Sequence, residues 1–171
     1  MRYSMTSEQA RLSRRAALQA AVDTAAVCAR LDPDVFFREE REHQISWQTR
    51  REDAVRVCAG CPARVACAEL ALRDGDGRAD TDDMVRGGLT GAELAAARAD
   101  RADRLAAAVD ADRDTEGQHL DDLVARLRRA ALVTTDRRWQ AAQNEEVRTL
   151  AGEIRRIRTT RRARAGWETA A

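Results

Sequence analysis

Cys58-Ala59-Gly60-Cys61-Pro62-Ala63-Arg64-Val65-Ala66-Cys67 gathers three of the four cysteines of this chain into ten residues, and Cys28 stands alone upstream. A C-x2-C turn lets two thiolates converge on one centre, and Gly60 within it tolerates unusual backbone angles. Pro62 suits the first position of a following helix, where its missing N–H costs nothing. Cys67 then lies more than one turn beyond Cys61, so its thiol must lean back, and Cys28 must arrive from a separate element. Three chemistries compete for such a set. A close triplet of cysteines with a distant fourth is a common arrangement for an iron-sulfur cluster. Structural zinc usually shows two short C-x2-C pairs, and Cys28 has no near partner. A disulfide framework needs an oxidising compartment, and inert buried thiols are the remaining reading.

The chain bounds these choices. Its 171 residues fit one domain or one domain with an extension, and a formal charge of +1 hides a strong internal asymmetry. Hydrophobic residues make up 44%, but only 4% are aromatic and much of the rest is alanine, a composition that forms helices readily and a dense core reluctantly. There is no lysine. No apolar run is long enough to span a bilayer and Met1 to Arg15 carries no signal-peptide core, so the expectation is a cytoplasmic protein with no membrane partner. In that compartment thiols stay reduced unless metal or a redox task claims them.

Residues flanking the cysteines carry a family resemblance. Asp32-Pro33-Asp34-Val35-Phe36-Phe37 follows the first cysteine, Cys61-Pro62-Ala63-Arg64 begins at the third, and Gly87-Gly88-Leu89-Thr90 follows the last. In this order, with the spacing lone Cys then C-x2-C-x5-C, the segment from about Val22 to Arg98 resembles the WhiB-like transcriptional regulators of actinobacteria and their phages. The resemblance implies that Cys28, Cys58, Cys61 and Cys67 ligate one 4Fe-4S cluster responding to oxygen or nitric oxide. It also implies action through a sigma factor of RNA polymerase and through DNA, with no small-molecule substrate and no enzymatic activity. The family's Gly-[Val/Ile]-Trp-Gly-Gly turn falls on Met84-Val85-Arg86-Gly87-Gly88, so Arg86 stands where relatives have a tryptophan that packs near the cluster and the sigma factor.

Along the chain, Thr6-Ser7-Glu8-Gln9 starts a helix whose stripe of Leu12, Ala16, Leu18, Val22 and Val27 leads toward Cys28. Asp32-Pro33 breaks it, and Phe36 and Phe37 are expected as core plugs beside the metal centre. His43 reads as a solvated loop histidine rather than a substitute ligand. Thr49-Arg50-Arg51-Glu52 has capping-box spacing for a short helix ending near Cys58, with Trp47 just before it. The Asp74 to Asp83 stretch lacks the order and closing glutamate of a calcium loop and reads as solvated. Thr90-Gly91-Ala92-Glu93 opens another helix running to about Ala111.

Asp110 to Gly117 reads as an exposed acidic linker, beyond which Leu120, Leu123, Val124, Leu127 and Leu132 mark one amphipathic helix. After an interruption at Thr134-Thr135-Asp136, Trp139, Val147, Leu150, Ile154 and Ile157 mark a longer one, and the two are expected to close as a hairpin. Between Val147 and Arg164 seven arginines face one glutamate, a net +6. Arg155, Arg156, Arg158, Arg161, Arg162 and Arg164 are therefore candidates for phosphate contacts on DNA, since the guanidinium fork matches phosphate oxygens. Such contacts position a protein without reading sequence.

The expectation is an all-α protein: a small helical domain around an iron-sulfur cluster over residues 1–109, an acidic linker over 110–117, and a helical hairpin with a basic tail over 118–171. Two alternatives use the same thiols, a zinc-stabilised DNA- or protein-binding module and a thiol-disulfide reductase working through Cys58 and Cys61. The reductase would need a thioredoxin-like βαβ context, and no strand pattern supplies one.

Overall fold

A computed structural model describes residues 4–132 and 137–165, without the side chains of residues 137–139. The fold is mainly α. Among the described residues are eight α-helices, two short 3-10 helices and one two-stranded sheet, and no helix is long and apolar enough to cross a membrane. Two compact units divide the chain, Met1–Arg113 and Asp114–Ala171.

In the first unit, α1 (Ser7–Leu12) begins at a full capping box in which Thr6 and Gln9 satisfy each other's backbone amides. The long stripe expected to continue from it is broken at Ser13, whose extended backbone ends α1 while its hydroxyl donates to the Gln9 carbonyl at 2.7 Å. Leu12 is consequently exposed, and a second helix, α2 (Arg15–Ala25), starts anew. Val27–Arg30 forms a 3-10 turn carrying Cys28, and Pro33–Phe36 forms another, capped by the Asp32 carboxylate on the Asp34 amide. Phe36 is buried at 6% exposure, but Phe37 is 45% exposed, because the backbone is extended there and turns successive side chains to opposite sides. Only the first of the two expected plugs is one.

The next helix, α3 (Gln44–Ala59), starts earlier than the Thr49 capping-box spacing suggested. His43 is its N-cap, with the imidazole accepting from the Ile45 amide, and Thr49 lies inside the helix with its hydroxyl on the Ile45 carbonyl. Trp47 therefore sits on the helix, fully buried among Phe36, Ala54, Cys58 and Val85.

Helix α4 (Arg64–Asp74) is the centre of the unit. Ala66 and Leu70 pack against Ala10 and Leu18 of α1 and α2, whereas Ala71 and Leu72 pack with Leu94 and Leu105 on the other side. Glu69 and Arg73, one turn apart, are buried together. Arg104 holds both Glu69 oxygens at 2.7 and 3.1 Å, and Arg73 reaches Asp112 at 3.0 Å. Arg73 also donates to the carbonyls of Ala10, Arg11 and Ser13, satisfying acceptors that the end of α1 leaves open.

Strands β1 (Val85–Arg86) and β2 (Leu89–Thr90) form a hairpin whose two turn residues, Gly87 and Gly88, both have positive φ. Such a two-residue turn matches the twist of the strands and favours glycine at both positions. Thr90 then caps α5 (Gly91–Ala99) in a capping box with Glu93. The helix expected to run unbroken from there is interrupted at Asp100-Arg101 and resumes as α6 (Ala102–Arg113).

The second unit is an antiparallel pairing of α7 (Thr115–Leu132) with α8 (Arg137–Arg164). Leu123, Ala130, Leu150 and Ile154 are buried between them, flanked by Leu120, Val124, Leu127, Val147 and Ile157. Leu132 is exposed. The acidic segment read as a linker is helical on both sides of Asp114, since alternating Asp, Ala and Arg suit an exposed helix as well as a loop. The interruption at 134–136 lies outside the described residues, as does the Trp139 side chain.

Candidate metal centre

The four cysteines arrive from three elements. Cys58 occupies the last turn of α3, Cys61 the connection after it, Cys67 the first turn of α4, and Cys28 the 3-10 turn after α2. The connection is tight: the Cys61 amide donates to the Cys58 carbonyl at 3.1 Å, and the Arg64 amide to the Cys61 carbonyl at 3.1 Å. Pro62 lies in this turn, two residues ahead of α4 rather than at its first position. Gly60 adopts φ −91° and ψ 2°, open to any residue, and a Cβ there would meet nothing within 4 Å. Its expected conformational role is not needed.

The turn that carries Cys28 meets Cys61. The Val27 amide donates to Cys61 Sγ at 3.5 Å, and the Cys61 thiol points to the Ala25 carbonyl at 3.9 Å. Cys28 packs half-buried against the core that contains Cys58. All four are free thiols. Burial pushes the Cys58 thiol above its usual range, the Gly88 amide opposes this, and the charges Cys67, Cys28 and Cys61 would carry push it further up. Cys67 is likewise pushed up by burial, against the Arg86 charge, the Gly87 amide and a hydrogen bond from Arg86. Burial thus favours the neutral thiols of Cys58 and Cys67 in the metal-free chain, and their ligation as thiolates would need a positive centre beside them.

The glycine turn fits this role through its backbone. Gly87 and Gly88 each aim an amide at a thiol, and hydrogen bonds to ligating sulfurs set the properties of iron-sulfur sites. The turn also presses onto α4: a Cβ on Gly87 would stand 2.5 Å from Ala68 Cα and N, and one on Gly88 would stand 3.3 Å from Cys58 Cβ. No group of three His, Cys, Asp or Glu side chains suited to a single metal ion occurs among the described residues. His43, as a helix cap, is occupied otherwise.

Arg86 and Trp47 are the two neighbours whose placement the sequence did not give. Arg86 is half-buried and held by Asp76 and by Asp74, the latter at 3.4 Å, at the end of α4. Burial alone would lower its guanidinium, but Asp76, Cys67 and Asp74 together keep it above its usual value. Trp47 is fully buried, which makes it a core residue. The C-x2-C pair lies at helix ends, and the only sheet among the described residues is the β1-β2 hairpin, so the βαβ context of a thiol-disulfide reductase is absent from them.

In the second unit the six candidate arginines divide into classes. Arg161 binds Asp114 at 2.7 Å, and Arg164 binds Glu116 at 2.6 Å. Arg156 lies 3.9 Å from Glu153. Arg155, Arg158 and Arg162 are exposed on α8 without ion pairs among the described residues. Their i, i+3, i+7 spacing puts them on one helix face.

Comparison with curated proteins and with solved structures finds no match to the chain. Residues 23–96 match the family model described as transcription factor WhiB, a span that contains all four cysteines and the Gly87-Gly88 turn. The second unit lies outside the match. Through residues 23–96 the cysteine-bearing unit is thus similar to the WhiB family of transcription factors.

Proposed function

We propose that Cys28, Cys58, Cys61 and Cys67 hold one 4Fe-4S cluster, and that the protein regulates transcription by coupling the state of that cluster to docking on a sigma factor and to DNA. What supports this reading is that the four free cysteines lie within the segment matching the WhiB family model, close enough that Cys67, Cys28 and Cys61 each act on the Cys58 thiol. When bound, such a cluster supplies a one-electron centre that also reacts with oxygen or nitric oxide. The residues of the chain do the rest. Phe36 and Val85, in the core cluster that includes Cys58, exclude water on one side, and Arg86 sets a positive charge beside Cys67. Val27, Leu31 and Phe37, on the segment that carries Cys28, leave apolar surface for a protein partner. The exposed arginine face of α8 spans about 10 Å, roughly three base-pair steps, and suits phosphate contacts that anchor rather than select.

Anaerobic purification with iron, sulfide and zinc analysis tests the reading. About four irons and four sulfides per chain with a brown colour support it. Colourless protein with one zinc per chain would replace it by a zinc-stabilised binding module without redox sense.

A further inference from the structure

Between α1, α4 and β2 lies a groove of about 360 Å³. Small-molecule sites span roughly 300–1,000 Å³, so the groove is of ligand size. Its apolar lining residues Val65, Leu72 and Leu89 are buried or half-buried, whereas Arg11 and Arg64 are exposed, which gives it an apolar floor and a cationic rim. The rim draws on separate elements: Arg11 from α1, Arg64 from the start of α4, and Arg101 from the break between α5 and α6. Arg11 and Arg64 have no carboxylate partner among the described residues. Arg64 is steadied through Nε, which donates to the Gly87 carbonyl at 3.4 Å and leaves its terminal nitrogens open. The ion pair of Arg101 is a loose one, 3.9 Å to its chain neighbour Asp100. The one carboxylate in the lining, Glu69, is buried and already held by Arg73 at 3.0 Å and by Arg104 at 2.7 and 3.1 Å. The whole chain is nearly neutral, 30 basic against 29 acidic residues, so this hollow is a local excess of positive charge.

We propose that this groove binds a free nucleotide, with the phosphates on Arg11, Arg64 and Arg101 and the base against Val65, Leu72 and Leu89. A guanidinium is planar and meets phosphate oxygens two at a time, and three of them on one rim suit the several charged oxygens of a polyphosphate. The apolar floor beside them removes the faces of a base from water. A ligand that is anionic at one end and flat and apolar at the other satisfies both halves of the groove. The proposal makes no use of the metal centre and goes beyond the regulatory reading above, since it gives the cysteine-bearing unit a small ligand of its own.

The test is calorimetric titration of the full chain with ADP, with pyrophosphate and short duplex DNA as further probes. Arg11→Gln with Arg101→Gln removes two rim charges; Arg11→Gln alone, at an exposed position, remains informative if the pair loosens the fold. Replacement of Arg155, Arg158 and Arg162 by glutamine removes the other exposed arginine face and serves as the comparison. The expected result is one ADP per chain, bound at least about tenfold more weakly by the rim variant and equally well by the α8 variant, with pyrophosphate weaker than ADP. Absence of saturable ADP binding, unchanged affinity in the rim variant, or a loss confined to the α8 variant overturns the proposal. Pyrophosphate that binds as tightly as ADP removes the base from the groove and overturns it too. Duplex DNA that displaces ADP from the α8 variant assigns the rim to the DNA backbone and overturns the free nucleotide. Iron and sulfide analysis decides the cofactor reading separately from any of these outcomes.

Discussion

The charge of Arg86, whose guanidinium is anchored by Asp74 and Asp76, acts on the thiol of Cys67. A cation beside a thiol favours the thiolate, so Arg86 opposes the upward push that burial gives Cys67. In Arg86→Gln that opposition disappears, the thiol titrates at higher pH, and less thiolate is present at any given pH below that range. Alkylation of Cys67 in the metal-free protein, followed by mass spectrometry across pH, should be slower with its profile moved to higher pH. An unchanged profile would mean that the guanidinium does not act on this sulfur.

If the four cysteines hold one cluster as proposed, removing any of them should remove it. Cys28→Ala tests the most distant of the four, and the expected outcome is loss of most bound iron, with faster hydrogen exchange in the segment around it, because metal binding and folding are linked. Full iron retention in this variant would take Cys28 out of the ligand set.

Two glycines near the centre should respond in opposite ways. Gly87→Ala places a methyl 2.5 Å from backbone atoms of Ala68 at a φ of +62°, where neither partner can give way. It should cost more than about 2 kcal/mol in denaturant unfolding. Gly60→Ala, with open space and an ordinary conformation, should stay within about 0.5 kcal/mol of the parent.

The buried charges of α4 should be sensitive to loss of one partner. Arg73, at 2% side-chain exposure, balances Glu69 and holds the last carbonyls of α1. Arg73→Met leaves those acceptors and Asp112 without this donor, and the expected loss is about 3–5 kcal/mol. Hydrogen exchange should quicken first in α1.

If the exposed face of α8 binds duplex DNA through phosphates, the triple replacement of Arg155, Arg158 and Arg162 by glutamine should lower the slope of log affinity against log salt by about 2 to 3. Arg161→Gln with Arg164→Gln should change that slope less, because Asp114 and Glu116 already occupy those guanidinium groups. Equal effects of the two sets would give the arginine face no special role.

What sequence reasoning reached, and what it missed, follows the range of the forces involved. Capping boxes at Thr6 and Thr90 act within four residues and were legible, as was the period of Leu123, Leu150 and Ile154 that closes the hairpin. The start of α3 was not, because a histidine cap at residue 43 carries a weaker signal than the Thr49 to Glu52 spacing inside the helix. Pairings such as Arg73 with Asp112 join residues far apart in the chain, and nothing local marks them. The four cysteines stand out by their spacing and flanks, but the amides of Gly87 and Gly88 that act on two of them carry no side-chain signature. Phe36 and Phe37 look alike in sequence; only the backbone at their junction decides which one faces inward.

The contact of Gly87 with Ala68 is backbone against backbone, and so contains no rotamer that could yield. Two residues beyond this hairpin turn, Thr90 begins the capping box of α5. The sulfur-bearing end of α4 thus leans, through a seam without side chains, on the turn that leads into α5.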